Sequence, residues 1–280
     1  MGEIITANES AIRLGCFAGI FAIMALWEVA MPRRRRAVSR WVRWPSNLGV
    51  VALNTVLVRI VLPTAAVGLA VMAREQGWGL LNQLLLPGWL GVVVSMLVLD
   101  FAIYLQHVMF HAIPLLWRLH RMHHADLDID VTTGARFHPL EILLSLGVKL
   151  AVVAALGPPT VAVVIFEVLL NATSMFSHGN VRIAPGVDRM LRLIVVTPDM
   201  HRVHHSVIVR ETNSNFGFNL PWWDRLLGTY RAQPRDGHDG MTIGIEQFRA
   251  PRELWLDRML VQPLRATIGS YPLSRPEGDA

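Results

Sequence analysis

Runs of apolar residues alternate with short polar segments over the first two thirds of the chain. A helix needs about 20 apolar residues to cross the hydrocarbon core of a bilayer, and most of the runs approach or exceed that length. The candidate spans cover residues 12–31, 48–72, 84–110, 140–156 and 160–176. This pattern predicts an all-α integral membrane protein with four or five transmembrane helices.

The last two apolar runs are separated by Gly157, Pro158 and Pro159. A glycine followed by two prolines ends a helix and favours a turn, so we expect a short hairpin that enters or crosses the bilayer. Beyond His178 the chain becomes mostly polar. These later residues predict a helical cap outside the bilayer.

The composition is typical of a membrane protein. Hydrophobic residues make up 52% of the chain and charged residues 17%, whereas soluble domains carry about 25% charged residues. The apolar content excludes intrinsic disorder, and a single cysteine, Cys16, excludes a disulfide scaffold. The net charge is +5, but the arginines form no solvated stripe with interleaved aromatic residues, so no nucleic-acid partner is expected.

Arginines cluster directly after the first predicted span, at positions 33–36, 40 and 43. The positive-inside rule predicts that such a cluster anchors the chain on the cytoplasmic side. Because it follows the apolar run, we interpret that run as a retained span and not as a signal peptide. Counting crossings from the cluster puts residues 106–139 and the chain after residue 177 on the same side. We expect a protein of the bacterial cytoplasmic membrane whose cap faces the cytoplasm.

Ten of the eleven histidines fall in five tight groups. Spacings of three and four place residues on one helix face, so an HxxxH pair and two HxxHH triplets each present imidazoles in one direction. Neutral imidazole binds iron, zinc, copper and nickel, and eight such ligands on three helices are enough for two metal ions. The candidate ligands are His107, His111, His120, His123, His124, His138, His178, His201, His204 and His205.

Three histidines have less specific surroundings. His138 and His178 are each isolated in their own segment, so either could bind a metal or orient a ligand. His238 lies in a stretch rich in glycine and aspartate, and we expect it in a solvated loop.

Other metal chemistries fit these motifs less well. A zinc metalloprotease has HExxH with a glutamate base, and the triplets HRMHH and HRVHH lack that glutamate. The Glu-x-x-His motifs of ferritin-like di-iron proteins are absent too. A membrane b-type cytochrome would place single histidines inside its spans, whereas these histidines gather at the predicted membrane boundary.

The order and spacing of the motifs resemble the membrane fatty acid hydroxylase/sterol desaturase superfamily over about residues 95–232. The matching segments are Asp100-x3-Tyr104-x2-His107-x3-His111, Trp117-x2-His120-x2-His123-His124, Asp130-x-Thr132-Thr133-x2-Arg136-x-His138-Pro139-x-Glu141, Thr197-Pro198-x2-His201-Arg202-x-His204-His205-Ser206, Asn215-Phe216-Gly217 and residues 223–230. The chain then divides into an N-terminal transmembrane region, a hydroxylase-like di-iron domain and a cytoplasmic or interfacial tail, over residues 1–95, 96–235 and 236–280.

The resemblance implies a non-haem centre of two iron ions that uses O2 to hydroxylate, or to desaturate, a C–H bond of a lipid such as a fatty acyl chain or a sterol. We prefer hydroxylation, in lipid biosynthesis or modification. An unactivated C–H bond offers no handle to acid–base catalysis, so the metal carries the chemistry and the protein supplies ligation and orientation. Carboxylate or amide groups that orient ligands or balance charge are expected at Asp126, Asp130, Glu141, Asp199 and Asn180. For Asp126 and Asp130, an exposed capping role is the alternative.

The expected partners are a lipid, O2, the membrane and a source of electrons. The sequence shows no cytochrome b5-like segment, so we expect a separate ferredoxin, flavoprotein or cytochrome as donor. Trp222, Trp223 and Trp255 indicate helices at the membrane interface, with simple packing of the cap as the alternative.

Two other functions stay open. A carotenoid-type hydroxylase would use similar histidine motifs. A metal-binding transporter or sensor would need ionisable residues along a path through the spans, and only Arg59, Lys149 and Glu167 are available.

Overall fold

The computed structural model describes residues 8–62, 65–265 and 268–273. Within these residues the chain forms helices and no strand, and its two β-bridges, Pro32–Val181 and Ser206–Ile243, are isolated. The helices are α1 (Glu9–Ala30), α2 (Arg40–Val61), α3 (Ala65–Glu75), α4 (Leu80–Gln83), α5 (Gly88–Ala112), α6 (Pro114–His124), α7 (Pro139–Leu156), α8 (Thr160–Ser177), α9 (Pro185–Leu191), α10 (Pro198–His204), α11 (Val209–Thr212), α12 (Trp222–Leu226), α13 (Gly237–Gly240) and α14 (Leu256–Val261). Short 3-10 turns cover Thr133–Ala135, Pro251–Leu254 and Gln262–Leu264.

Five stretches of the described chain are long and apolar enough to cross a membrane. They are α1, the stretch Arg40–Gln83 that contains α2 to α4, α5, α7 and α8. Large apolar side chains such as Leu26 and Ile60 remain exposed on these helices, as expected for surfaces that contact lipid. The predicted all-α membrane protein is therefore confirmed.

The predicted span over residues 48–72 is divided between two helices, so its predicted bounds were wrong. Helix α2 begins at Arg40, because the hydroxyl of Ser39 accepts a hydrogen bond from the amide of Trp41 at 3.3 Å and caps the helix. Its first turns belong to the cap and not to the lipid-facing part. Helix α2 ends at Val61 and α3 begins at Ala65, and residues 63–64 lie outside the described residues.

Helices α7 and α8 are joined by the turn predicted at residues 157–159. Gly157 ends α7 with φ of 63°, a left-handed conformation that favours glycine. A Cβ atom at this position would lie 2.5 Å from the carbonyl oxygen of Trp78, so the turn packs closely on the chain between α3 and α4. The hairpin is open, since α7 packs mainly on α3 and α5, whereas α8 packs most on α1 and then on α5 and α3.

The core between the membrane helices is apolar and combines small and large side chains. Alanines on α3 let that helix approach its neighbours closely. The core residues are Ala66, Val67, Ala70, Leu99, Ile103, Val153, Val163, Val164 and Phe166.

The cap forms at one end of these helices. The segment between α1 and α2 lies against it, since the backbone amide of Arg33 donates to the carbonyl oxygen of Asn180 at 3.0 Å. The guanidinium of Arg34 donates to the carbonyl oxygen of Met241, also at 3.0 Å. The segments that the crossing count placed on one side therefore lie at the same end of the bundle.

One arginine of the cluster is not a solvated anchor. Arg43 is fully buried, and its guanidinium contacts Asp126 at 2.7 Å and Asp130 at 2.5 Å. Exposed capping roles for Asp126 and Asp130 are therefore wrong, because both carboxylates are buried as partners of Arg43. This ion pair ties the start of α2 to the loop that follows α6.

The three tryptophans of the C-terminal part differ in environment. Trp222 and Trp255 are half-exposed, as an interfacial position requires. The indole of Trp223 donates to Asp100 at 2.8 Å and packs on Phe101. Packing within the protein therefore explains Trp223.

Candidate metal centre

Four helices carry the histidines to one place in the cap. The HxxxH pair lies at the end of α5, HRMHH at the end of α6, and HRVHH on α10 and the residue after it. Pro114 and Pro198 occupy the first positions of α6 and α10, where the missing amide hydrogen removes no helical hydrogen bond. His178 directly follows α8.

Nine of the ten predicted ligands converge in two groups. In each group, every histidine offers one ring nitrogen, and these nitrogens all lie within 4.8 Å of one another. The first histidine group is His107, His111, His120, His124 and His204, and the second is His123, His178, His201 and His205. All nine side chains are buried. His178, isolated in the sequence, thus lies in the second group.

The two groups lie side by side, because each HxxHH triplet contributes to both. The rings of His124 and His205 stack with centroids 4.7 Å apart. The Nε2 atoms of His123 and His178 lie 3.1 Å apart. The arrangement therefore provides neighbouring sites within one continuous set of imidazoles.

Two histidines of the first group are oriented by backbone carbonyls. The Nδ1 atom of His107 lies 2.8 Å from the carbonyl oxygen of Phe216, and that of His204 lies 2.7 Å from the carbonyl oxygen of Ser214. A carbonyl can only accept, so Nδ1 carries the proton and Nε2 keeps its lone pair. Between these carbonyls, Asn215 adopts a left-handed φ of 53°, and its side chain donates to two backbone carbonyls that hold it there.

Two further histidines are oriented from other helices. His120 Nδ1 lies 2.6 Å from a carboxylate oxygen of Glu141 on α7, and His178 Nδ1 lies 2.7 Å from the carbonyl oxygen of Ser174 on α8. Metal-binding histidines usually donate their second nitrogen to such acceptors, which fixes the tautomer and the ring direction. Of the predicted orienting residues, Glu141 therefore makes the expected contact.

Several ring nitrogens have no hydrogen-bond partner among the described residues. These atoms are Nε2 of His111, His124 and His204, Nδ1 of His123 and His201, and both ring nitrogens of His205. Buried polar atoms are normally paired, so this cluster needs a ligand that accepts lone pairs. An all-nitrogen donor set suits first-row transition metals, iron included, and the residues present fit two such ions.

Burial keeps these imidazoles neutral. It lowers the pKa of His123, His124 and His204 well below 6.5, and neighbouring imidazoles lower it further. Burial likewise lowers the pKa of His178 to about 4. Neutral rings are the form that binds metals.

A carboxylate close to the second group offsets positive charge. Burial raises the pKa of Asp126, but Arg43 and Arg136 outweigh it and hold that pKa below its usual range. Asp126 therefore stays ionised, and its charge acts on His178 and His205.

The remaining predicted residues lie around the histidine groups. His138 caps α7 by accepting from the amide of Leu140 at 3.2 Å, and its other ring nitrogen lies 3.2 Å from the carbonyl oxygen of Leu260. His238 is 6% exposed and lies 3.6 Å from Asp199. The solvated loop expected for His238 was wrong, because α13 packs on α10.

Three other predicted orienting residues bond elsewhere. Asp130 stays in the Arg43 ion pair. Asp199 pairs with Arg202 and lies 3.3 Å from Arg33. The Asn180 side chain holds the backbone of the segment between α1 and α2. These residues brace the cap.

A cavity of about 250 Å³ leads from the first histidine group into the membrane helices. His107 and His120 lie at its inner wall, and residues of α1, α2, α5, α7, α8, the loop before α7 and Phe218 form the rest. Apolar residues such as Phe17, Phe110 and Leu170 dominate the lining. The lining therefore suits an apolar chain that contacts His107 and His120.

Apart from Glu141, sequence reasoning missed the residues that orient the histidines. The acceptors Ser174, Asn213 and Ser214 carry no metal-binding signature, and two of them act through backbone carbonyls. The only signal was their position, since Asn213 and Ser214 directly precede Asn215-Phe216-Gly217.

Comparison with known proteins finds curated relatives over about half of this chain. Over 144 residues the chain is 33% identical to the ornithine lipid hydroxylase OlsE of Rhizobium tropici, covering 51% of this chain and 43% of that protein. Over 156 residues it is 30% identical to the human (Homo sapiens) alkylglycerol monooxygenase, covering 55% of this chain and 34% of that protein. The matches thus span less than half the length of these relatives.

A more distant similarity is to the very-long-chain aldehyde decarbonylase GL1-1 of Oryza sativa subsp. indica, 28% identical over 152 residues, which cover 51% of this chain and 24% of that protein. No solved structure gives a significant match. The sequence profile of the fatty acid hydroxylase family matches residues 92–229, a range that contains all nine converging histidines. The histidine site therefore lies in a region that matches the fatty acid hydroxylase family.

Proposed function

We propose that this protein is an O2-dependent di-iron oxidoreductase of the membrane that hydroxylates a C–H bond of a lipid. The observation that carries the proposal is the pair of buried all-histidine groups at the end of an apolar cavity. The family supports it, and so do relatives that are named hydroxylases and monooxygenases.

The proposed iron ligands are the members of the two groups. The first ion takes His107, His111, His120, His124 and His204, and the second takes His123, His178, His201 and His205. Bound iron would supply the O2 activation that an unactivated C–H bond requires. His138 is left out, because its ring nitrogens face other partners.

The chain's own groups prepare the site for this chemistry. Glu141 fixes the direction of His120, and Asp126 with Asp130 offsets part of the charge of two cations. Asn180 and Asp199 hold the cap closed over the centre. The apolar cavity positions a lipid chain against the first histidine group and excludes water from it.

The wider assignments follow the same reasoning. We propose residues 1–95 as a transmembrane region, 96–235 as the di-iron domain and 236–280 as an interfacial tail, with the cap in the cytoplasm of a bacterium. Electrons come from a separate ferredoxin, flavoprotein or cytochrome. The names of the relatives favour hydroxylation of a polar membrane lipid over desaturation or attack on a carotenoid.

The transporter or sensor alternative is disfavoured by the charges inside the spans. Glu167 pairs with Lys149 and lies 3.0 Å from Arg13. These charges form a closed network between helices, which fits a structural link better than a path for ions.

Comparing the lipids of cells with and without the gene tests the proposal. Mass spectrometry should show a lipid that gains one oxygen atom only when the gene is present. The purified iron-loaded protein should perform the same conversion only with a reductase system. Multiple turnovers without any reductant would contradict an oxygenase.

A further inference from the structure

Asp224 of α12 carries a carboxylate that is fully buried and belongs to neither histidine group. It accepts hydrogen bonds from the backbone amides of Phe216 at 2.7 Å and Gly217 at 2.8 Å. It also accepts from the hydroxyl of Thr229 at 2.7 Å. A buried carboxylate is unfavourable unless it is hydrogen-bonded, so Asp224 and its three donors hold one another in place.

The two amides belong to the segment that orients His107. The N–H of Gly217 and the carbonyl of Phe216 are the two ends of one peptide group, which is planar and trans. The N–H end donates to Asp224, and the carbonyl oxygen at the other end lies 2.8 Å from Nδ1 of His107. Because the two ends of a planar trans peptide point in opposite directions, fixing the N–H also fixes the carbonyl.

The contact between Asp224 and this peptide requires glycine at position 217. A Cβ atom there would lie 2.7 Å from Oδ2 of Asp224 and 2.8 Å from the carbonyl oxygen of Leu220. Any other residue would therefore push the carboxylate away from the peptide.

A second path connects Asp224 to α5. The Thr229 hydroxyl has one hydrogen, which it donates to Asp224, so the hydroxyl of Tyr104 is the donor in its 2.9 Å contact with Thr229. Tyr104 is buried and lies three residues before His107 on α5, so the two share a helix face. The hydrogen bonds thus begin and end on α5 and fix the peptide relative to His107.

The position of the proton on His107 decides whether the first histidine group can bind a metal. The Nε2 atoms of His107 and His120 lie 3.1 Å apart. When both rings carry the proton on Nδ1, the two Nε2 lone pairs converge and a cation can accept them. Without an acceptor at Nδ1, His107 can carry its proton on Nε2 and donate it to His120, which blocks both nitrogens.

We infer that Asp224 and Thr229 are positioning residues for His107. The Thr229 hydroxyl holds the carboxylate, and the carboxylate holds the peptide so that the Phe216 carbonyl keeps the proton of His107 on Nδ1. The inference rests on the proposed function, because it explains how the first histidine group is kept ready for iron.

Anaerobic titration of the purified full-length protein with ferrous iron, one histidine group at a time, tests the inference. The His205→Ala protein keeps every member of the first group, and the His204→Ala protein keeps every member of the second. In Asp224→Asn, an NH2 group replaces one carboxylate oxygen and faces a backbone N–H or a hydroxyl that also donates.

We expect Asp224→Asn to lower the iron affinity of the first group about 10-fold or more, as the loss of groups behind a metal ligand does. The second group should keep its affinity. Equal losses at both groups would overturn the inference, because Asp224 would then stabilise the cap as a whole. An unchanged first group would overturn it as well.

Asp128→Asn is the matched control. Asp128 is also buried, and its carboxylate accepts from the backbone amides of Ala37 at 2.6 Å and Val38 at 3.3 Å. These amides belong to the segment between α1 and α2 and not to the one that orients His107. The control should keep the iron affinity of the first group, and a loss as large as that of Asp224→Asn would overturn the inference.

Substitutions at Thr229 decide the question if Asp224→Asn does not fold. Thr229→Val keeps the shape of the side chain and removes the hydroxyl, whereas Thr229→Ser keeps the hydroxyl. Thr229→Val should lower the iron affinity of the first group, and Thr229→Ser should match the parent protein. Equal affinities of the two variants would overturn the inference, because the hydroxyl would then not hold the carboxylate for this task.

The readout separates this inference from the proposed function, because iron binding is measured without O2 or lipid. If Asp224→Asn weakens the first group alone and the parent protein oxidises no lipid, the proposed function alone is contradicted. If the parent protein oxidises a lipid and Asp224→Asn binds iron as the parent does, the inference alone is contradicted.

Discussion

Five histidines of the centre, His107, His111, His120, His178 and His204, have an acceptor behind the ring. Backbone carbonyls of Phe216, Ser214 and Ser174 hold three of the rings at Nδ1, and the carboxylate of Glu141 holds a fourth. The carbonyls cannot be removed by substitution. Glu141 is therefore the orienting group most open to experiment.

Replacing Glu141 by leucine should lower metal affinity about 10–100-fold, because His120 loses the acceptor that fixes its tautomer. Glu141→Gln should lower it less, because the amide oxygen can still accept from His120. Iron titration of both purified variants measures the difference. Equal affinities of Glu141→Leu and the parent protein would show that Glu141 does not orient His120.

Removing one imidazole should affect one group more than the other. His204→Ala should deplete the first site, and His205→Ala the second, each by at least about 10–100-fold in affinity. His238→Ala is the control, because His238 is buried but belongs to neither group. Iron per chain should fall in the first two variants and not in the control. Unchanged iron in all three would show that the clustered histidines are not the site.

At the scale of elements, buried contacts between helices and loops hold the histidine helices in place. Arg43 at the start of α2 fixes the loop after α6 through Asp126 and Asp130. Further along that loop, Gly134 passes so close to α8 that a Cβ atom would lie 2.6 Å from the carbonyl oxygen of Ser174. The same carbonyl orients His178, so both contacts bear on the second histidine group.

The Arg43→Met variant should lose about 3–5 kcal/mol of stability, since it leaves two carboxylates buried without their cation. The control Arg252→Ala removes an arginine from an exposed pair with Asp257, and such exposed pairs contribute little to stability. Chemical unfolding in detergent compares the two. A loss for Arg43→Met no larger than for Arg252→Ala would contradict the structural role of Arg43.

Adding a single methyl group at Gly134 should disturb the centre. Gly134→Ala should destabilise the protein by roughly 1–3 kcal/mol through overpacking and reduce metal binding at the second site. Gly147→Ala, in α7, places its Cβ where no atom lies within 4 Å, so it should be neutral or stabilising. Thermal unfolding and iron content measure both effects. A Gly134→Ala protein with parental stability and iron would refute the close contact.

At the scale of the whole molecule, contacts between segments show which parts of the chain lie at each end of the helix bundle. The cap gathers the arginine cluster and all nine histidines, and the chain between α3 and α4 lies beside the α7–α8 turn at the other end. A reporter fused after Ala280 should therefore be active only as a cytoplasmic reporter. One inserted between Leu85 and Leu86 should respond oppositely. Equal responses would contradict the proposed orientation.

Much of this architecture could be predicted from the sequence, because it depends on the length of the apolar runs and on the spacing of the histidines. The apolar runs indicated the spans, and the spacings of three and four indicated which histidines share a helix face. The division between α2 and α3 escaped prediction, since an apolar run shows hydrophobicity and not where a helix ends. The burial of Arg43 escaped it too, because its partners lie more than 80 residues away.

The convergence of the histidines could be predicted only in part. Two HxxHH triplets indicated shared metals, but their division between two sites depends on how α6 and α10 cross. His138 and His178 looked alike in sequence, and only the fold separates them. His178 follows α8 into the second group, whereas His138 begins α7 and turns to other partners.

The metal content of the purified full-length chain tests the central claim most directly. After anaerobic reconstitution with ferrous iron and removal of excess metal, elemental analysis should give two iron ions per chain, one for each histidine group. The His204→Ala and His205→Ala double variant should hold little iron under the same treatment. A folded parent protein that retains less than one iron per chain would contradict the di-iron centre.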